Sequence, residues 1–200
     1  MTLDATIRAV QAKLGVTVDG NPGPQTWTAI HRSIVGEPPA SSGTGTLADE
    51  RSERNIATLL SQVQPLARAL IESAAATGIA IKIISGTRTY EEQNTLYEQG
   101  RTKPGRVVTN ARGGYSNHNF GIAFDIGVFE GGRYLDESPA YKAVGAIGMK
   151  LGLEWGGNWK TIQDEPHFQL RPAWAREMSE RDMLAELRRR NSQKLPVFVG

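Results

Sequence analysis

The sequence predicts an α+β fold, a small antiparallel sheet flanked by helices and preceded by a short helical hairpin. Three observations point to it. Apolar residues recur at helical spacing over long stretches, as in Ile56, Leu59, Leu60, Val63, Leu66, Leu70, Ile71 and Ala74. Strict two-residue alternation is confined to few segments, of which Gly121 to Val128 is the clearest. Glu130-Gly131-Gly132-Arg133 reads as a hairpin turn, which joins antiparallel neighbours.

Composition narrows the class. The chain has 200 residues, 39% hydrophobic and 22% charged, which suits one ordinary domain with a small appendage. It contains no cysteine, so disulfides and thiolate metal sites are both excluded. The net charge of +2 is slight, and no basic patch interleaved with aromatics points to nucleic acid. No stretch reaches the ~18 consecutive apolar residues of a membrane span. Met1-Thr2-Leu3-Asp4 lacks the charged and apolar regions of a secretory signal. A protein made in the cytoplasm and released by lysis, or exported by another route, is therefore expected. A monomer is expected as well.

The elements follow in order. Ile7, Val10 and Leu14 recur at helical spacing, and Gly15 can close that helix. A turn-rich loop with Asp19-Gly20 and Pro22-Gly23 leads to a second helical face of Trp27, Ile30 and Ile34. His31 lies on that helix with no partner pattern and reads as a surface residue. Residues 1–36 thus form a helical hairpin, 37–48 a Pro/Gly/Ser linker, and 49–200 the main domain. The apolar face from Ile56 to Ala74 contains Pro65, which should kink or split it. Ile79 to Ile84 is an Ile-rich strand. Thr89 and Glu92 form a capping-box signature for a helix running to about Gln99. A Gly/Arg loop, Gly105 to Tyr115, precedes the alternating strand. Ser138-Pro139 opens a further helix with Val144, Ile147 and Leu151 inward. Glu154 to Trp159 reads as an aromatic-glycine loop, and His167 to Leu170 as the last strand. Pro172 to about Arg190 reads as a polar amphipathic helix.

Chemistry concentrates in Ser116 to Asp125 and in Asp164 to His167. The chain has three histidines, and His118 and His167 stand in these two segments beside carboxylates. In the alternating strand Ile122, Phe124, Ile126 and Val128 share one face, while Asp125 stands on the other among Gly121, Ala123 and Gly127. A lone aspartate in an apolar strand costs several kcal/mol unless it is paired or bound to a metal. A catalytic zinc takes three protein ligands from His and Asp/Glu and keeps a fourth position open. His118, Asp125 and His167 supply such a set, for one zinc per chain. The alternative is that Asp125 pairs with a buried arginine and His118 is an ordinary loop histidine. Hydrolysis also needs a base for the attacking water and a cation or donor for the developing oxyanion. Arg88, between an Ile-rich strand and a helix, is the choice for the oxyanion, against the alternative of a surface arginine. For the base, alternation puts Glu165 on the face of His167 and turns Asp164 away. Pro166 interrupts that alternation, so Asp164 and Glu165 both stay open.

Ser116-x-His118-x-x-Gly121-x-Ala123-x-Asp125 with Asp164-x-x-His167 resembles the signature of the LAS metallopeptidases. That family includes D-alanyl-D-alanine carboxypeptidases and dipeptidases, and the L-alanyl-D-glutamate peptidases of phage endolysins and bacterial wall enzymes. Ser85-Gly86-x-Arg88 with Gln93, Leu96 and Tyr97 fits the same family. Glu154-Trp155-Gly156-Gly157-Asn158-Trp159 followed by Pro166-His167-Phe168-Gln169 is most similar to the L-alanyl-D-glutamate branch. The resemblance implies a zinc-dependent peptidoglycan peptidase that cuts stem peptides between L-Ala and D-Glu and acts on the bacterial cell wall. It implies His118, Asp125 and His167 as ligands, Asp164 as general base and Arg88 at the oxyanion. Gln93, Ser116 and Trp155 would then meet substrate. A D-alanyl-D-alanine carboxypeptidase and a non-catalytic wall-binding module are the alternatives. Asn158 departs from the branch, which often carries an acidic residue there. Asp rather than Glu as base separates the chain from the dipeptidases. At the N-terminus, VQAKLGVTVDGNPGPQTWTAI resembles part of a peptidoglycan-binding helical repeat, with a plain helical hairpin as the alternative.

Overall fold

The computed structural model describes residues 2–22, 26, 29–30, 33, 48–160 and 162–199. They belong to two compact units, Met1–Gly45 and Thr46–Gly200. The second helix expected around Trp27 and Ile34, His31 on it and the linker at 37–46 lie largely outside the described residues. Among the described residues no helix is long and apolar enough to cross a membrane.

In the first unit, helix α1 (Leu3–Leu14) starts on Thr2, whose hydroxyl accepts from the Ala5 amide, and stops at Gly15 with φ 68°. A residue without Cβ enters that left-handed conformation without steric cost, which is why glycine closes the helix. Gln11 is buried and anchors the following turn. Its amide donates to Asp19 at 2.7 Å and accepts from the Gly20 N–H at 2.9 Å.

The second unit begins with α2 (Glu50–Ala57) and α3 (Gln64–Ala76) in place of one long helix. Pro65 sits in the first turn of α3, where its missing N–H would have had no helical partner. Asp49 caps α2 by accepting from the Ser52 N–H at 2.7 Å. Strand β1 (Ala80–Ser85) leads to α4 (Tyr90–Glu98). The capping box of α4 is complete: Glu92 N–H reaches Thr89 Oγ1 at 3.1 Å, and Thr89 N–H reaches Glu92 Oε2 at 2.7 Å. Strands β2 (Ala123–Glu130) and β3 (Arg133–Leu135) form the expected hairpin, turned by Gly131 at φ 55° and Gly132 at φ 82°. Helix α5 (Ala140–Lys150), β4 (Glu154–Trp155), β5 (His167–Gln169) and α6 (Glu180–Ser192) complete the unit.

Every strand pairing is antiparallel, in the order β1-β2-β5-β4, with β3 also on β2. Two expectations about element bounds change. Glu154 and Trp155 pair with β5 as a short strand, where a loop was expected, because two residues carry no readable period. The C-terminal helix starts late: Pro172 opens a 3-10 turn at Ala173–Ala175, and α6 begins only after its cap Ser179.

One core lies between the sheet and α2, α3 and α5. Phe124, Ile126 and Val128 of β2 meet Ile81, Ile83, Ile56, Leu70, Val144 and Phe168 there. Fully burying each such side chain contributes roughly 1.5–3 kcal/mol. Phe124 and Phe168 are cross-strand partners with stacked rings 5.9 Å apart. Ile122, expected on the same face, belongs instead to a second cluster with Phe120, Met183 and Leu187 beneath α6. It precedes the first residue of β2, so the strand's pleat does not govern it.

Candidate metal centre and cleft

The register of β2 against β5 builds most of the site. Asp125 stands directly opposite His167, and residues opposite one another in an antiparallel pair project on the same face. The alternation that sends Phe124 and Phe168 into the core sends these two to the other side. His118 arrives from a 3-10 turn, Asn117–Phe120, closed by Gly121 at φ 68°. His118 Nε2, Asp125 Oδ1 and His167 Nδ1 then form a triangle with edges of 3.2, 3.2 and 3.3 Å.

The outer partners of the imidazoles decide what that triangle is. His118 Nδ1 lies 2.8 Å from the Gly86 carbonyl, which can only accept, so Nδ1 carries the proton and Nε2 the lone pair. His167 Nε2 lies 2.9 Å from Gln169 Oε1, again an acceptor, so its Nδ1 carries the lone pair. Three acceptor atoms therefore converge with no donor among them. That arrangement repels unless a proton or a metal cation occupies it. A proton on one imidazole satisfies two atoms, whereas a metal ion satisfies all three. Tetrahedral ligands of zinc, at about 2.0–2.1 Å from the ion, stand about 3.3 Å from each other. The donor set and its spacing thus fit zinc, and these residues are the described cluster able to hold a metal.

The electrostatics of His118 and Asp125 agree with this. Burial pushes the His118 imidazole down, toward the neutral form a metal ligand needs, although Asp125 pulls the other way. Burial works against ionisation of Asp125, but the two imidazoles outweigh it and hold its carboxyl well below the usual range. For His167, burial is outweighed by the hydrogen bond and charge of Asp125, which raise it, so that a proton competes with a metal there.

The triangle opens onto a cleft of about 910 Å³ whose lining includes Arg88, Ser116, Asp164 and Trp159. Arg88 is no surface arginine, with its side chain 23% exposed. Its backbone is fixed on both sides, the N–H donating to the His118 carbonyl at 3.0 Å and the carbonyl accepting from Asn119 Nδ2 at 2.9 Å. Its Nη1 lies 3.9 Å from Asp125 Oδ2, too far for a hydrogen bond, so Asp125 is not anchored by it. Burial lowers the guanidinium from its ordinary value, opposed by Asp125. The group stays a cation regardless. Asp164 enters the cleft from a turn in which its carbonyl accepts from the His167 N–H at 3.2 Å. Burial raises its carboxyl, with the Asp125 charge adding to the shift. Glu165 is not part of the cleft lining; its carbonyl accepts from the Trp155 indole at 2.7 Å. Strand alternation fails here because β5 starts only at His167. Ser116 lines the cleft beside these groups.

Two residues expected to meet substrate, Trp155 and Gln93, do not line the cleft. Trp155 is a core residue, 8% exposed, because its cross-strand partner is the inward-facing Phe168. Trp159 takes the place at the cleft, its ring 4.9 Å from that of His167. Two tryptophans flanking Gly156-Gly157 offer no period that says which one faces out. Gln93 is fully buried and donates to the Ala111 carbonyl at 2.8 Å, so it braces the loop that walls the cleft without lining it.

A family profile described as D-alanyl-D-alanine carboxypeptidase matches residues 109–170. The peptidoglycan L-alanyl-D-glutamate endopeptidase CwlK of Bacillus subtilis (strain 168) is 39% identical over 122 residues, covering 55% of this chain and 72% of that protein. The L-alanyl-D-glutamate peptidase of Listeria phage A118 is 31% identical over 123 residues, covering 60% of this chain and 40% of the phage protein. The crystal structure of the Serratia marcescens L-Ala D-Glu endopeptidase ChiX aligns with a TM-score of 0.46 at 21% identity, covering 61% of this chain and 87% of that one. The chain belongs to the LAS-type metallopeptidase family, with its D-alanyl-D-alanine carboxypeptidases and L-alanyl-D-glutamate peptidases.

Proposed function

We propose that the chain is a zinc-dependent peptidase that hydrolyses the L-alanyl-D-glutamate bond of peptidoglycan stem peptides in the bacterial cell wall. The observation that carries this is the triangle of lone pairs of His118, Asp125 and His167, opening onto a cleft that presents Asp164 and Arg88. The choice of bond is supported by the likeness to CwlK, of which the chain covers 72%.

His118, Asp125 and His167 would hold the metal. Zinc bound there supplies a Lewis acid for the scissile carbonyl and lowers the pKa of water. Asp164 takes the proton of the attacking water and returns it to the departing amine, and burial, by raising its carboxyl, makes it a stronger base. Arg88 provides fixed positive charge where the carbonyl oxygen becomes anionic. Ser116 offers a hydroxyl, and Trp159 an apolar face, to the peptide lying across the site. Residues 1–36 serve as a wall-binding unit on a linker at 37–48, with 49–200 as the peptidase domain.

A second reading, D-alanyl-D-alanine carboxypeptidase, is favoured by the family profile over residues 109–170. Mass spectrometry of digested peptidoglycan separates the two. Cleavage at L-Ala–D-Glu leaves L-Ala on the glycan and a new amino-terminal D-Glu. The carboxypeptidase releases D-Ala only. No release at all, from zinc-loaded protein, would leave a non-catalytic wall-binding module.

A further inference from the structure

Gln169 is completely buried in β5, and its amide has no freedom of orientation. Its Nε2 donates to Glu154 Oε2 at 2.7 Å, while Oε1 accepts from His167 Nε2 at 2.9 Å and from Asn117 Nδ2 at 2.6 Å. Glu154 also accepts from Arg171 Nε, Arg171 Nη2 reaches Glu180 Oε2 at 2.7 Å, and Glu180 Oε1 accepts from Asn117 Nδ2. Asn117, Gln169, Glu154, Arg171 and Glu180 therefore close a ring of five side chains. Its members come from the turn that carries His118, from β4, from β5 and its exit, and from the start of α6.

The ring has a direction. A carboxylate only accepts and a guanidinium only donates. Arg171 takes one oxygen of Glu154 and one of Glu180, which leaves each carboxylate a second oxygen that can only accept. Glu154 draws the amide nitrogen of Gln169, and Glu180 draws that of Asn117. Oε1 of Gln169 is then the atom left facing His167. Asn117 Oδ1, buried without a partner among the described residues, is the consequence of both its N–H groups serving the ring.

We propose that Glu154, acting through Gln169, is a positioning residue that fixes His167 in its Nε2–H tautomer and so keeps the Nδ1 lone pair turned to the metal; this rests on the metal reading above. Ligand histidines are commonly oriented by an acceptor on the far nitrogen. Here the acceptor is a neutral amide whose sense is dictated two side chains away by charge.

The isosteric Glu154→Gln change tests this. Its one acceptor goes to the Arg171 cation, its NH2 turns to Gln169, Gln169 flips to present Oε1, and Asn117, whose NH2 had served that oxygen, turns its unpartnered Oδ1 to the flipped amide. The Gln169 NH2 then faces His167 Nε2, which moves the imidazole proton to Nδ1 and removes the lone pair. Nitrogen NMR of the zinc-free full chain at alkaline pH, where imidazoles are neutral, reads the tautomer. Chelator competition reads zinc affinity. Wild type is expected as Nε2–H, and Glu154→Gln as Nδ1–H with zinc bound ~10-fold or more weakly. Glu180→Gln keeps the Nε2–H form, because Gln169 still faces Glu154. The double variant Glu154→Gln with Gln169→Glu restores an acceptor to His167 and should return tautomer and affinity toward wild type, a coupling that simple loss of stability does not produce. An unchanged tautomer in Glu154→Gln, or no rescue in the double variant, overturns the proposal. If Glu154→Gln does not fold, the double variant decides alone by its tautomer. A tautomer switch in a protein whose wild type binds no zinc upholds the ring and sinks the metal reading instead.

Discussion

Asp164 and Glu165 are neighbours with the same charge, yet only Asp164 opens into the cleft. With zinc content matched, Asp164→Asn is expected to keep the metal and lose ~10²-fold or more in turnover, the usual scale for removing a general base. Glu165→Gln should stay near wild type; the reverse ranking would mean that the base is misassigned. Arg88→Gln should likewise retain zinc while kcat falls ~10²-fold or more, as for loss of one oxyanion donor. If KM rises and kcat holds, Arg88 binds substrate and does not act on the transition state. The cluster of His118, Asp125 and His167 was legible in sequence because histidine is scarce here and an aspartate in an apolar strand demands a partner. Gln93 and Trp155 were not. Whether a buried amide braces a loop or touches a ligand depends on where residues 109–111 fold, and nothing local to Gln93 encodes that.

The elements hold these side chains through a few close approaches. A Cβ on Gly156 would collide with the Asp164 carbonyl and lie 3.0 Å from His167 Cβ. Gly156→Ala should therefore displace the turn that carries both Asp164 and His167, the proposed base and ligand, and small misplacements of this kind can cost ~10²-fold in rate. Zinc affinity and turnover should fall together; full zinc affinity with normal turnover would show that the turn has room to move. Away from the cleft, Asp49 caps α2 and pairs with Lys82 Nζ at 2.6 Å. The Lys82 hydrogen bond and then the Ser52 amide hold its carboxyl down from 3.8 to about 2. A depressed carboxylate stabilises above its unfolded pKa and stops doing so as pH falls through the folded one. Asp49→Ala should then cost about 1 kcal/mol at neutral pH, and the difference should shrink between pH 3.8 and about 2. Denaturant melts across that range would show it, and a constant gap would assign the effect to packing. Much at this scale was readable: the capping box, the split at Pro65 and the β2–β3 turn each rest on residues close in sequence. The pairing of β4 with β5 was not, since it joins a two-residue strand to a partner beyond a long loop.

At the scale of the whole chain, the described residues fall into two compact units, of which Thr46–Gly200 contains the sheet, its core and the cleft. Deleting residues 1–45 should leave cleavage of a soluble stem peptide nearly intact and weaken sedimentation with insoluble wall. Undiminished sedimentation would remove the binding role from the first unit, and a truncated chain that cannot fold would make that unit part of the catalytic core. A metal that binds only the folded site adds its binding free energy to stability, so a chelator should lower the Tm of the intact chain and added zinc restore it. The most direct test of the central claim is elemental analysis of the purified wild type beside Asp125→Ala. One zinc per chain in the wild type and its loss in the variant is the predicted result; equal zinc in both, or none in either, would contradict the assignment of His118, Asp125 and His167 as a metal centre.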